Sequence, residues 1–173
     1  MKSAVVFGGS GFIGLYFIEK VLNADLYDNL YIVDIREPED TFCKIKFKKL
    51  IETNRVKFIK KDIREDLKEI IIDGELITIL NFAAVHREPG HEEHEYGETN
   101  INGAHNICDF ARKYDCKNII FTSSIAVYGP GEHEKNEETI AKPSTPYGKS
   151  KLEAEKIHID WQNEEPKNRI LSI

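Results

Sequence analysis

Ala4-Val5-Val6-Phe7-Gly8-Gly9-Ser10-Gly11-Phe12-Ile13-Gly14 is the stretch on which the fold turns. A short apolar run rich in β-branched residues stops at a cluster of glycines. From Gly11 to Leu22 the apolar residues then take a helical period, with Ile13, Phe17 and Val21 four apart and Ile18 and Leu22 beside them. The reading is strand Ala4–Gly8, sharp turn, helix Gly11–Leu22. Glycines at 8, 11 and 14 suit that turn: they tolerate its dihedrals and let backbone approach a ligand. The helix start offers free N–H groups and a partial positive charge to a phosphate.

Outward from this turn the same alternation continues. Leu30–Asp34 and Val56–Lys60 read as second and third strands, and Leu76–Phe82 as a fourth, nearly all apolar, as a strand covered on both faces should be. Glu95–Lys113 reads as a long helix, Asn118–Ser124 as a fifth strand, Pro146–Gln162 as another helix and Asn168–Ile173 as a sixth strand. The lysines at 44, 46, 48 and 49 read as a solvated connector. Strands and helices in this order predict an α/β fold: a Rossmann-type doubly wound parallel sheet in three α/β/α layers, formed as one domain over residues 1–173.

Composition narrows the function classes. The 173 residues carry a formal charge of -6, which gives no electrostatic footprint for nucleic acid. Cys43, Cys108 and Cys116 form no CxxC pair and read as reduced thiols. His91-Glu92-Glu93-His94 has its histidines three apart, not the four of HExxH, so no metal is expected. No apolar run approaches the ~18 residues of a membrane helix, and Ala4–Phe7 is too short for a signal peptide. No membrane partner and a cytoplasmic location are expected.

Two constellations carry chemistry. Gly8, Gly11, Phe12, Ile13 and Gly14, with Asp34, Ile35 and Arg36 closing the second strand, form the expected dinucleotide site. Asp34 stands 20 residues after Gly14, where a carboxylate accepts hydrogen bonds from ribose hydroxyls and repels a 2′-phosphate. This favours NAD over NADP; Arg36, able to receive a 2′-phosphate, argues the other way. The second constellation is Thr122-Ser123-Ser124 at the end of the fifth strand with Tyr147 and Lys151 downstream. Tyr147 and Lys151, four apart on a helix, share a face. A nearby ammonium lowers a phenol pKa, so the tyrosine can take a proton from a substrate hydroxyl while hydride leaves for the cofactor, with a serine bonded to the same oxygen.

Gly8–Gly14, Asn81-Phe82-Ala83-Ala84, Ser123-Ser124-Ile125-Ala126-Val127-Tyr128-Gly129 and Pro146-Tyr147-Gly148-Lys149-Ser150-Lys151 together resemble the motifs of the NAD-dependent epimerase/dehydratase proteins, extended short-chain dehydrogenases/reductases, in order and over essentially the whole chain. The resemblance implies a catalytic triad of Ser124, Tyr147 and Lys151, with Tyr147 and Lys151 also at the nicotinamide ribose. Asp62 and Ile63 would contact adenine. Phe82, Ala83, Ala84 and Thr122 would line the cofactor cleft, and Asn100 would lie beside it. Dehydratases of the family carry Asp-Glu directly before Val-Tyr-Gly, and decarboxylating relatives keep the glutamate. Ile125 and Ala126 can do neither job, and the pattern looks most like sugar 4-epimerases; a reductase or dehydrogenase with the same triad is the alternative. The implied substrate is a nucleotide-diphosphate sugar. A homodimer through the helices around 95–113 and 147–162 is implied as well. A C-terminal substrate domain is expected to be absent from this chain, and the chain alone is expected to bind the dinucleotide without turnover. His86 or Arg87 would touch sugar or diphosphate from a polar loop.

Overall fold

A computed structural model of the chain describes residues 1–86, 90–131 and 134–173; Arg87 lies outside them. Six parallel strands form one sheet: β1 (Lys2–Phe7), β2 (Asn29–Asp34), β3 (Val56–Lys60), β4 (Glu75–Asn81), β5 (Asn118–Phe121) and β6 (Ile170–Ser172). Their order is β3-β2-β1-β4-β5-β6. The chain winds outward from β1 in one direction, then crosses to β4 and winds outward in the other. The reversal leaves a crevice at the carboxyl ends of β1 and β4.

Side-chain alternation along β1 builds both layers. Ala4 and Val6 point to one face with Leu30, Ile32 and Leu80, where Leu15 and Ile18 of helix α1 (Phe12–Asn23) and Phe47 and Leu50 of helix α2 (Lys44–Ile51) cover them. Val5 and Phe7 point to the other, with Ile79 and Ile119, under Ile107 and Phe110 of α4 (Gly103–Lys113) and Ala154 and Trp161 of α5 (Pro146–Glu164). Ala4 to Phe7 are fully buried, so this strand reads as a continuous apolar run rather than an alternating one.

Two elements depart from the sequence reading. The lysine-rich connector is helix α2: Phe47 and Leu50, three apart among the lysines, supply a narrow apolar stripe that composition masks. The long helix is a composite. Helix α3 (Glu93–Tyr96) opens with a capping box between Glu92 and Glu95, continues as a π-helical segment Gly97–Asn102, and passes into α4. His91, one turn before Glu95, lies 3.3 Å from its carboxylate and belongs to this helix start.

Candidate functional site

The turn after β1 is shaped by backbone contact. Gly8 takes φ +73°, and a Cβ there would lie 2.5 Å from the Ala83 nitrogen at the end of β4, so the two strand ends meet closely only because position 8 has no side chain. Gly14 is buried against the turn's own backbone at Gly9. Helix α1 starts after Gly11 without a side-chain cap, which leaves its first-turn N–H groups without a capping side chain. Phe12 and Ile13 expose their side chains outward, at 64% and 60%; only their backbone can serve a ligand in the crevice.

Asp34 ends β2 beside this turn. One carboxylate oxygen accepts from Ser10 N at 3.1 Å and the other from Arg36 N at 3.1 Å, and each retains acceptor capacity for a hydroxyl. The Ser10 hydroxyl is buried with no partner among the described residues. Ile35 and Arg36 are exposed. A narrow cradle without Cβ atoms, an uncapped helix start, an oriented carboxylate and an orphaned hydroxyl fit a dinucleotide. Asp62 is gripped by Arg64 at 2.6 Å. The Ile63 side chain is buried where α4 passes, and its carbonyl accepts from Asn106 at 2.8 Å; Ile63 anchors the loop, leaving Asp62 as the half-buried member of the pair. Phe82 packs edge-on against Phe17 of α1, and Thr122 binds the Asn81 carbonyl through both its N–H and its hydroxyl.

The second constellation is assembled from distant segments. Ser124 caps the 3₁₀ turn Ile125–Tyr128 by accepting from Ala126 N. Helix α5 begins with Thr145 accepting from Gly148 N at 3.1 Å and Pro146 in its first turn, a start that needs no help from elsewhere. A Cβ at Gly148 would stand 2.5 Å from the Ala126 carbonyl, so this glycine seats the first turn of α5, with Tyr147, on the turn that Ser124 caps. Tyr147 also lies against Tyr96, ring centres 6.3 Å apart.

Lys151, one turn on, is 2% exposed with Nζ 4.0 Å above the centre of the Phe121 ring. Burial pulls its pKa down to about 8, against the opposing field of Glu155. Asn100, in the π-helical segment, accepts from Val85 N at 2.9 Å and donates to the Val85 carbonyl and to Ser150 Oγ, which donates to the Tyr147 carbonyl. The widened helical turn lets one side chain reach both the loop after β4 and helix α5.

The sequence reading assigns no separate role to four residues here. Ser123 donates its hydroxyl to Glu155, and Ser150 relays Asn100 to Tyr147. His158 is fully buried, stacks on Phe121 at 4.4 Å, and bonds the Ala154 carbonyl through Nδ1 at 2.6 Å. Glu155 was within reach of the sequence: Tyr147, Lys151 and Glu155 continue one four-residue stripe.

The model of the NAD dependent epimerase/dehydratase family matches residues 4–172. A UDP-glucose 4-epimerase of rice is 30% identical over 181 residues, 99% of this chain and 48% of the relative. An Escherichia coli O157:H7 4-epimerase named for N-acetylglucosaminyl-diphospho-undecaprenol is 40% identical over 96 residues, 56% of this chain and 29% of the relative. Among solved structures, a Bacillus cereus UDP-glucuronic acid 4-epimerase in complex with NAD superposes with TM-score 0.82 at 24% identity, covering 99% of this chain and 55% of the other. The chain spans about half the length of the rice relative.

Proposed function

Since the chain belongs to the NAD dependent epimerase/dehydratase family, we propose that residues 1–173 are the cofactor-binding and catalytic half of a nucleotide-sugar 4-epimerase. The carrying observation is Lys151: a lysine 2% exposed on a helix start tied to the end of β5. Burying an ammonium opposes folding, and a task at the crevice explains why it is there.

The backbone N–H groups of Phe12 and Ile13 would hold the pyrophosphate of NAD, and the Asp34 carboxylate would accept from the adenosine ribose hydroxyls. The Lys151 ammonium would donate to the nicotinamide ribose. Tyr147 takes the proton of the sugar C4 hydroxyl, and Ser124 donates to the same oxygen. NAD, when bound, would supply the hydride-transfer chemistry at the sugar C4 that side chains lack. Tyr147 then returns its proton. Ile125 and Ala126, in the turn after Ser124, offer no group for the proton transfers of water loss, which favours epimerisation over dehydration. On this reading residues 1–173 supply the NAD site and the reacting side chains, and these residues by themselves are expected to bind NAD without turnover. The 96-residue match to the diphospho-undecaprenol relative favours a second substrate reading, a sugar diphosphate carried by a polyprenol rather than a nucleotide.

Calorimetric titration with NAD and NADP tests the cofactor reading. NAD should bind more tightly than NADP, and Asp34→Ala should weaken NAD about 10-fold, the loss of a charge-assisted hydrogen bond. A folded chain that binds neither dinucleotide sinks the proposal.

A further inference from the structure

We propose that Glu155 is a positioning residue for Lys151: its carboxylate, oriented by the Ser123 hydroxyl, keeps the Lys151 ammonium charged and ties α5 to the strand end that carries Ser124. The inference rests on the reading of Tyr147 and Lys151 as the reacting pair.

Two contacts and one helical spacing carry it. Ser123 Oγ donates to Glu155 Oε1 across 32 residues of chain, fixing the carboxylate between β5 and α5. Lys151 stands one turn before Glu155, on the same stripe of the helix. Phe121, two residues before Ser123, holds Lys151 Nζ over its ring face at 4.0 Å. The ring quadrupole attracts the ammonium, yet burial still favours the neutral amine. Glu155 is the charged group whose field opposes that loss.

The other titratable groups around Lys151 do not share this task. Tyr147 is its reacting partner. His158, two turns on along α5, is pulled down to about 4 by burial and is neutral at physiological pH. The Lys151 ammonium adds positive charge that disfavours a charged His158. The acid on the stripe therefore supplies the negative field, and Ser123 supplies its orientation.

The test is carbon-13 NMR of the unliganded chain labelled at lysine Cε, with Lys151 assigned by Lys151→Arg, titrated from neutral to alkaline pH. Glu155→Gln keeps an acceptor for Ser123 and removes the charge; it should lower the Lys151 midpoint by about one pH unit. Ser123→Ala should lower it by less, in the same direction, and Glu155→Asp should fall between wild type and Glu155→Gln. A purely structural role would lower melting temperatures and leave the midpoint alone. A folded Glu155→Gln chain with the wild-type midpoint overturns the proposal. Should that variant not fold, unchanged midpoints in Glu155→Asp and Ser123→Ala overturn it. The midpoint is read without cofactor, so failure to bind NAD would remove the dinucleotide reading while the Lys151–Glu155 coupling is judged separately.

Discussion

The two ends of the crevice are built in opposite ways. The turn after β1 comes from seven consecutive residues, Gly8 to Gly14, and its working parts are backbone: bare N–H groups and a gap where a side chain would be. The Ser124–Tyr147–Lys151 end is gathered from the loop after β4, the π-helical segment, the end of β5 and helix α5, and its working parts are side chains in a buried polar network. A site made of backbone is sensitive to added atoms. A site made of buried side chains is sensitive to lost partners and to pH.

The largest expected effect belongs to the first end. Gly8→Ala forces a positive φ and drives a methyl into the Ala83 backbone at 2.5 Å. It should destabilise by about 3 kcal/mol and abolish NAD binding, read by denaturant melts and calorimetry. A variant with wild-type stability would show that the two strand ends can part freely. Next comes the network. Asn100→Ala removes the partner of Val85 N, of the Val85 carbonyl and of Ser150 Oγ; a cost of about 2 kcal/mol is expected from the unmet buried groups. Its signature should be loosened amide-exchange protection at both the loop after β4 and the first turn of α5. Loosening at one alone would mean that the π-helical segment does not couple them.

The smallest effect separates the two ends by pH. His158 has a pKa near 4 in the fold, below the ordinary 6.5, because burial disfavours its charged form. The unfolded chain therefore binds more protons in that window, and stability falls as pH drops through 6.5 toward 4. Between about pH 7 and about pH 5.5 the loss should be about 1 kcal/mol. His158→Phe, which keeps a ring to stack on Phe121, should flatten that slope in urea melts. An unchanged slope would move the acid sensitivity to other groups.

Elements were legible where a local pattern had no competitor. The first strand, the glycine turn and α1 could be read because strand period, turn chemistry and helix period follow one another within twenty residues. Val56–Lys60 agrees residue for residue with β3. The fifth strand was read to Ser124 and ends at Phe121, because Ser124 leaves the sheet to cap the 3₁₀ turn. Helix α2 is hidden because four lysines among eight positions look like a solvated connector until Phe47 and Leu50 find a sheet to cover.

By itself the sequence determined the parallel α/β architecture, the glycine turn with its carboxylate at Asp34, and the tyrosine–lysine stripe, since each depends on spacing along the chain. Only the tertiary structure decided which partners the stripe would have. That Lys151 is buried over Phe121, that Ser123 grips Glu155, and that Asn100 bridges Val85 to Ser150 all depend on where β5, α5 and the π-helical segment meet. Burial, which sets the charge of a lysine or a histidine, belongs to the packed neighbours and not to the residue.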